Sequence, residues 1–179
     1  MTVTLRAMSP ADADAVAALH ATSWRSAYRG MMPDDYLANE VDAERRSVWR
    51  ERLLGPAPAP FFGVVAEDAK GDMIGFAYVL PRQDSTFGTL VDNLHVHPDF
   101  KGGGIGRQLL QAVVGKLGPA HAEPLYLWVL DANEPAKRFY ARMGAEFVEQ
   151  VTEDLPFGGV GLVKWRCVWR NPSALLTHV

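Results

Sequence analysis

The sequence predicts an α/β (α+β) fold, a mixed, mostly antiparallel sheet of about seven strands interleaved with helices. Three observations predict it. Short alternating or apolar runs recur along the chain, and one pair of them flanks the turn residues "AKGD", which signals an antiparallel hairpin. One strand–helix–strand crossover leads into the apolar run "LYLWVL", so at least one pair of strands is parallel. Helical patterns separate the strands in the order β-α-α-β-β-β-α-β-α-β-β, which is not that of a doubly wound parallel sheet.

Each element has its own warrant. "TVTLRAM" alternates and reads as a first strand. Ser9 as N-cap, Pro10 at the first helical position and acids in the first turn start the helix that follows. A second helical region runs through "MPDDYLANEVDAERRSVWRERLL", broken near Asn39, with Val41, Val48, Trp49, Leu53 and Leu54 among its apolar positions. "GPAPAP" is a stiff connector, and strand patterns resume directly after it. "FFGVVAED", "MIGFAYVLP" and "GTLVDNLHV" read as three strands. A helix from about Gly104 to Leu117 carries Ile105, Leu109, Val113 and Leu117 on one stripe. "NEPAKRFYARMG" is a short helix stopped by Gly144. Two last strands end the chain, joined through Phe157–Gly159.

Composition narrows the function. The chain has 179 residues, enough for one domain with a substantial core. A net charge of −3 with no Lys/Arg run excludes a nucleic-acid footprint. The single cysteine, Cys167, excludes an internal disulfide framework, and its apolar neighbours mark it as a buried structural thiol. No signal-peptide pattern and no membrane-length apolar run are present, so a cytoplasmic protein without a membrane partner is expected. "HVHPD" spaces two histidines as metal ligands would be, but no third ligand is placed beside them, and no metal is expected.

The stretch "VHPDFKGGGIGRQLL" concentrates Gly102, Gly103, Gly104 and Gly106 where a strand hands over to a helix. Free N–H groups and the helix dipole favour an anion there, and missing Cβ atoms let it approach. Lys101 and Arg107 flank the loop and add charge. The P-loop and dinucleotide patterns both fail: Gly106 is followed by Arg107 and Gln108, and position 109 is leucine.

"LHVHPDFKGGGIGRQLL" resembles the cofactor motif of the GNAT family of N-acetyltransferases, through Val96, Pro98, Lys101, Gly104 and Gly106. Lysine stands at 101 where that family usually has glutamine or arginine. "NEPAKRFYARMGAEF" is similar to the family's second block, through Asn133, Ala136, Phe139, Tyr140 and Gly144, with the following aromatic, Phe147, displaced by two. The element order matches over essentially the whole chain. The resemblance implies helices on both faces of the sheet. It implies one acetyltransferase domain over 1–179, with 1–60 on the acceptor side and 88–144 as the acetyl-CoA-binding core. It also implies acetyl-CoA as co-substrate, its pyrophosphate on the loop from Gly102 through Ile105 to Arg107. The pantetheine arm then lies along Leu94, His95 and Val96, and Asn133 contacts it from the far side, unless it is a plain N-cap.

Transfer to an amine sets three chemical demands. An alkyl amine of pKa ~10 is neutral in only about one molecule in a thousand at pH 7. The carbonyl oxygen gains charge and needs a donor, which the resemblance places on the backbone near Leu94–Val96. The thiolate needs a proton, and Tyr140 matches the family's donor. For the base, the strand offers Asp92, on the Leu94 face unless a bulge intervenes, and His95 on the opposite face. Trp24, Tyr28 and Trp128 are candidate walls for a cationic amine, with Asp34, Asp35 or Asp92 adding charge. The acceptor expected is a small-molecule amine. A protein N-terminus or lysine, or a non-catalytic acyl-CoA-binding role, stay open, as does the oligomeric state, a homodimer included.

Overall fold

The computed structural model describes residues 2–56, 60–118, 123–154 and 161–177. Its elements are β1 (Thr4–Ala7), α1 (Ala13–Ala27), α2 (Val41–Leu54), β2 (Phe62–Glu67), β3 (Met73–Asp84) and β4 (Gly88–Val96), then α3 (Ile105–Leu117), β5 (Leu125–Leu130), α4 (Glu134–Arg142), β6 (Glu146–Glu153) and β7 (Leu162–Trp169). This is the predicted order. The strands form one seven-stranded sheet, β1-β2-β3-β4-β5-β7-β6, antiparallel throughout except for β4 with β5. The predicted junction at Phe157–Gly159 lies outside the described residues.

Alternation along β3 divides the core in two. Gly75, Ala77 and Val79 face α3, which comes so close that a Cβ on Gly75 would stand 3.1 Å from Leu109 and 3.2 Å from Ile105. Phe76 and Tyr78 face α1 and α2, packing with Val16, Trp49 and Leu53. Helices therefore cover both faces. The α3 stripe of Ile105, Leu109 and Val113 is fully buried. A third cluster, Ala21, Met32, Tyr36, Leu37 and Val41, joins the end of α1 to the start of α2 and receives Trp24, Tyr28 and Leu130.

Local signals act as read, with three departures. The N–H of Ser9 donates to Asp12 Oδ2 (2.7 Å), and Arg6 forks onto the same carboxylate at 2.9 and 2.7 Å. The break near Asn39 is a wide helical turn over Tyr36–Glu40. Leu54, placed by periodicity on the apolar stripe of α2, is instead 58% exposed, because the helix ends there. Arg45 lies on that stripe, four residues from both Val41 and Trp49, and is buried. After β7 a short 3-10 turn, Pro172–Thr177, inserts Leu175 against α3, and the Leu175 carbonyl accepts from Gln111 Nε2 (3.0 Å). Cys167 is buried and desolvation pushes its thiol up to about 12, which removes it from thiolate chemistry. Among the described residues no helix is long and apolar enough to cross a membrane.

Candidate active site

The parallel pair β4–β5 holds for only two residue pairs, Thr89–Leu125 and Leu90–Tyr126. Past that point β4 carries a bulge. Val91 pairs with Val79 and Asn93 with Tyr78, which leaves Asp92 as the extra residue. A bulge bends its strand and raises its twist, and β4 runs on without β5. The backbone of Leu94–Val96 on one side and of the end of β5 on the other is left open to a strand-like ligand.

The bulge also corrects the reading of Asp92. Two-residue parity assigns it to the Leu94 face. In the structure Val91, Leu94 and Val96 pack on the α3 side, whereas Asp92 turns to α2 and accepts from Arg52 Nη1 (2.6 Å) and Asn93 Nδ2 (2.6 Å). It is a bound counter-ion.

Beyond β4 the chain makes a tight turn, with Phe100 N–H to His97 O (2.9 Å), and enters the glycine loop. Left-handed backbone falls on Gly102 (φ +82°) and Gly104 (φ +79°), the latter forming the N-cap of α3. A Cβ on Gly102 would meet nothing within 4 Å, so the approach to this loop is open. Gln108 N–H to Gly104 O (3.0 Å) begins the α3 ladder, so the N–H groups of Ile105, Gly106 and Arg107 have no helical acceptor. Lys101 and Arg107 make no ion pair among the described residues. Two unpaired cations beside a helix N-terminus and an open glycine loop fit a diphosphate. Gly106 serves a different need, because its Cβ would stand 3.1 Å from Phe139 Cζ on α4. That glycine lets the two helices meet.

Asn133 caps α4, its Oδ1 accepting from Ala136 N–H (3.3 Å). Tyr140, about two turns further along, packs with Phe139 and Trp169 in the α3-side core. Burial raises its phenol well above 10, and Tyr28 and Cys167 push in the same direction. Tyr28 belongs to the α1 side and is itself raised by burial to about 12.

On the α1 side His95 meets residues that sequence reasoning had not gathered. Its Nδ1 lies 3.0 Å from Ser23 Oγ, and its ring lies 4.2 Å from that of His20. His20 is 1% exposed and its Nδ1 accepts from Trp49 Nε1 (2.9 Å). Desolvation, with Lys101 and Arg45 adding positive charge, lowers His95 to about 3. Desolvation holds His20 well below 6.5 as well. Both rings are neutral at pH 7. The missed residues did leave a signal: His20 and Arg45 are polar residues on apolar helical stripes.

The aromatic residues expected to wall an amine are already faced by the protein's own cations. Arg45 Cζ sits 4.3 Å from the Trp24 ring centroid, and Trp128 carries Lys164 Nζ at 4.9 Å and Arg166 Cζ at 4.6 Å. Tyr28 packs edge-on to Trp24 (5.4 Å). Asp34 and Asp35 are exposed, and Asp35 accepts from Asn39 Nδ2 (2.7 Å). Among the described residues no three His, Cys, Asp or Glu side chains come together as a metal site.

A profile described as the acetyltransferase (GNAT) family matches residues 14–145. The uncharacterized N-acetyltransferase YuaI of Bacillus subtilis is 30% identical over 179 residues, covering 98% of this chain and 97% of its own. A mycothiol acetyltransferase of Actinosynnema mirum is 31% identical over 145 residues, or 79% of this chain and 44% of that longer protein. Among solved structures, the PaiA N-acetyltransferase of Thermoplasma acidophilum in complex with coenzyme A superposes with a TM-score of 0.68 at 17% identity, over 92% of this chain and 98% of the other.

Proposed function

The chain belongs to the acetyltransferase (GNAT) family and is an acyltransferase using acetyl-CoA; from that premise we propose that it acetylates a primary amine of a small molecule. One observation carries the small-molecule reading. Met32, Tyr36, Leu37 and Val41 pack with Trp24, Tyr28 and Leu130 at the end of β5, so packed side chains cover the acceptor side, which supports a small acceptor. A polypeptide acceptor would need an open channel there.

The residues divide the work as follows. Lys101, Arg107 and the N–H groups at the start of α3 hold the diphosphate, with Gly102, Gly103 and Gly104 letting it come close. The open backbone of Leu94–Val96 pairs with the amide arm and supplies an N–H to the thioester carbonyl, where negative charge develops. The amine nitrogen forms its bond to the carbonyl carbon and the carbon–sulfur bond breaks. Tyr140, protonated at every working pH, gives its hydroxyl proton to the departing sulfur. The amine's own proton leaves to water. With Asp92 held by Arg52 and His95 lowered to about 3, no strong base stands at this site. The positive charge of Arg45 and Lys101 instead disfavours the ammonium form, so that the amine is bound neutral.

Thiol release from acetyl-CoA, followed with a chromogenic disulfide against a panel of small amines and short peptides, tests the reading. Amine-dependent release with at least one small amine is expected. Release with peptide N-termini or lysines alone would overturn it, and release with no amine would leave only acyl-CoA binding.

A further inference from the structure

Beside His95 lie one cation, Arg45, and one neutral ring, His20, whose hydrogen bonds are incomplete, and this bears on which amine enters. Arg45 is 9% exposed. It engages Glu44 through Nε and Nη2, and Glu44 also accepts from Tyr36 Oη (3.1 Å). No side-chain partner takes the remaining nitrogen, Nη1, among the described residues. The guanidinium carbon lies over Trp24, 4.3 Å from the ring centroid, and that ring meets His20 edge-on at 4.9 Å. His20 provides a second, independent sign. Trp49 Nε1 can only donate, so His20 Nδ1 must accept and the proton of the neutral ring sits on Nε2. That Nε2–H is buried and has no acceptor among the described residues. A buried donor without a partner is costly and rare in folded proteins. One buried donor without a partner, His20 Nε2–H, and one arginine nitrogen without a side-chain partner, Arg45 Nη1, thus belong to groups that both touch Trp24.

Among the described residues Glu44 takes two nitrogens of Arg45, and no carboxylate takes Nη1 or His20 Nε2–H. Glu44 and Asp92 are engaged, and Asp34 and Asp35 are exposed. The cations near the two histidines are Lys101, Arg45 and Arg52; Arg45 and Arg52 are each paired with one carboxylate, Glu44 and Asp92, and Lys101 makes no ion pair among the described residues. A polycation would enter this pocket against that field, whereas an acceptor with its own anionic group would complete it. Resting on the reading above, we propose that the acceptor is an amine bearing a carboxylate, of the amino-acid class, whose carboxylate is bound by Arg45 with His20 as second donor. Arg45 and His20 then determine specificity, and the amine is carried toward the backbone of His95.

Acetylation of matched acceptors tests this: each amino acid against its uncharged amide and its decarboxylated amine, with spermidine as the polycation. A hydrogen-bonded charge pair of this kind supports a preference of about 10–100-fold in kcat/KM for the acid over its amide. Arg45→Gln should collapse that ratio toward one, through KM, and Arg45→Lys should restore part of it. The ratio in the unmodified protein needs no variant, so misfolding of Arg45→Gln cannot mask the answer. Equal or better use of amides or spermidine by the unmodified protein would overturn the proposal while leaving small-amine acetylation intact. An acid-to-amide ratio unchanged in Arg45→Gln would do the same. Thiol release with no amine at all would instead remove the parent reading, and this one with it.

Discussion

Replacing Tyr140 by Phe separates a proton donor from a core aromatic, because the structure says what the hydroxyl does for stability. Tyr140 is 8% exposed and its ring is held by Phe139 and Trp169. Its hydroxyl makes no hydrogen bond among the described residues. Removing the oxygen leaves the packing in place and relieves a largely desolvated polar group. The folded state should therefore lose nothing and gain up to about 1 kcal/mol. At this chain length that corresponds to a melting temperature unchanged or raised by about 2–4 °C. If the phenol protonates the departing sulfur, kcat should fall by about 10²–10⁴-fold, with the CoA dissociation constant within a factor of about three. The sign of the pH effect follows from the raised phenol. Its protonated form persists past pH 10, so the rate of the unmodified enzyme should show no decline assignable to this group between pH 6 and 9. Steady-state rates, a single-turnover measurement to isolate chemistry, calorimetric CoA binding and a thermal melt on one variant decide the matter. Unchanged single-turnover rates would remove Tyr140 from proton transfer. A melt lowered by more than about 5 °C would show that the hydroxyl has a structural partner.

Three further outcomes are expected. Gly106→Val forces a side chain onto Phe139 and should destabilise the fold by about 1–3 kcal/mol, whereas Gly102→Val, whose Cβ points into open space, should cost about 1–2 kcal/mol for its left-handed backbone and weaken CoA binding more than Gly106→Val does; the two variants are compared by melting and CoA titration. Asp12→Asn should cost about 1.5–3 kcal/mol near pH 7. Arg6 holds that carboxyl below its ordinary value, so its contribution is present above about pH 4 and lost as pH falls, and the acid limb of denaturant titrations should flatten in the variant. His95 is lowered in the folded state, so the unfolded chain binds its proton first and stability should decline as pH falls below about 6.5 toward 3; His95→Gln should reduce that slope by up to about 1.4 kcal/mol per pH unit, and an unaltered slope would show a ring as basic folded as unfolded.

Much of the framework was legible because each element carries its signal within itself. The alternation of "GTLVDNLHV" and the run "LYLWVL" delimit β4 and β5 to the residue, and Ser9-Pro10 and Gly144 mark helix ends by local chemistry. The glycine loop was legible for the same reason. What stayed hidden depends on partners far away in sequence. Nothing in "VDNLH" announces a bulge, because the extra residue exists only relative to the register of β3. The fate of Trp24 and Trp128 depended on arginines and a lysine from other elements. Gly106 looked like its neighbours until Phe139, on another helix, gave it a separate purpose. The turn at Pro172–Thr177 is too short for any periodicity to reveal.

The extra residue at position 92 makes the chain count itself a functional variable. With the bulge, Leu94 and Val96 belong to the α3 side and His95 to the α1 side. Deleting that single residue would restore an unbroken ladder with β3, in which Asn93, Leu94, His95 and Val96 keep their partners and their faces but lose the bend and added twist of the bulge. β4 would then be free to run on straight beside β5, and Arg52 would lose the carboxylate that it holds. No substitution at any one position has that reach. The length of this segment, more than the identity of any residue in it, is what keeps one end of the sheet open.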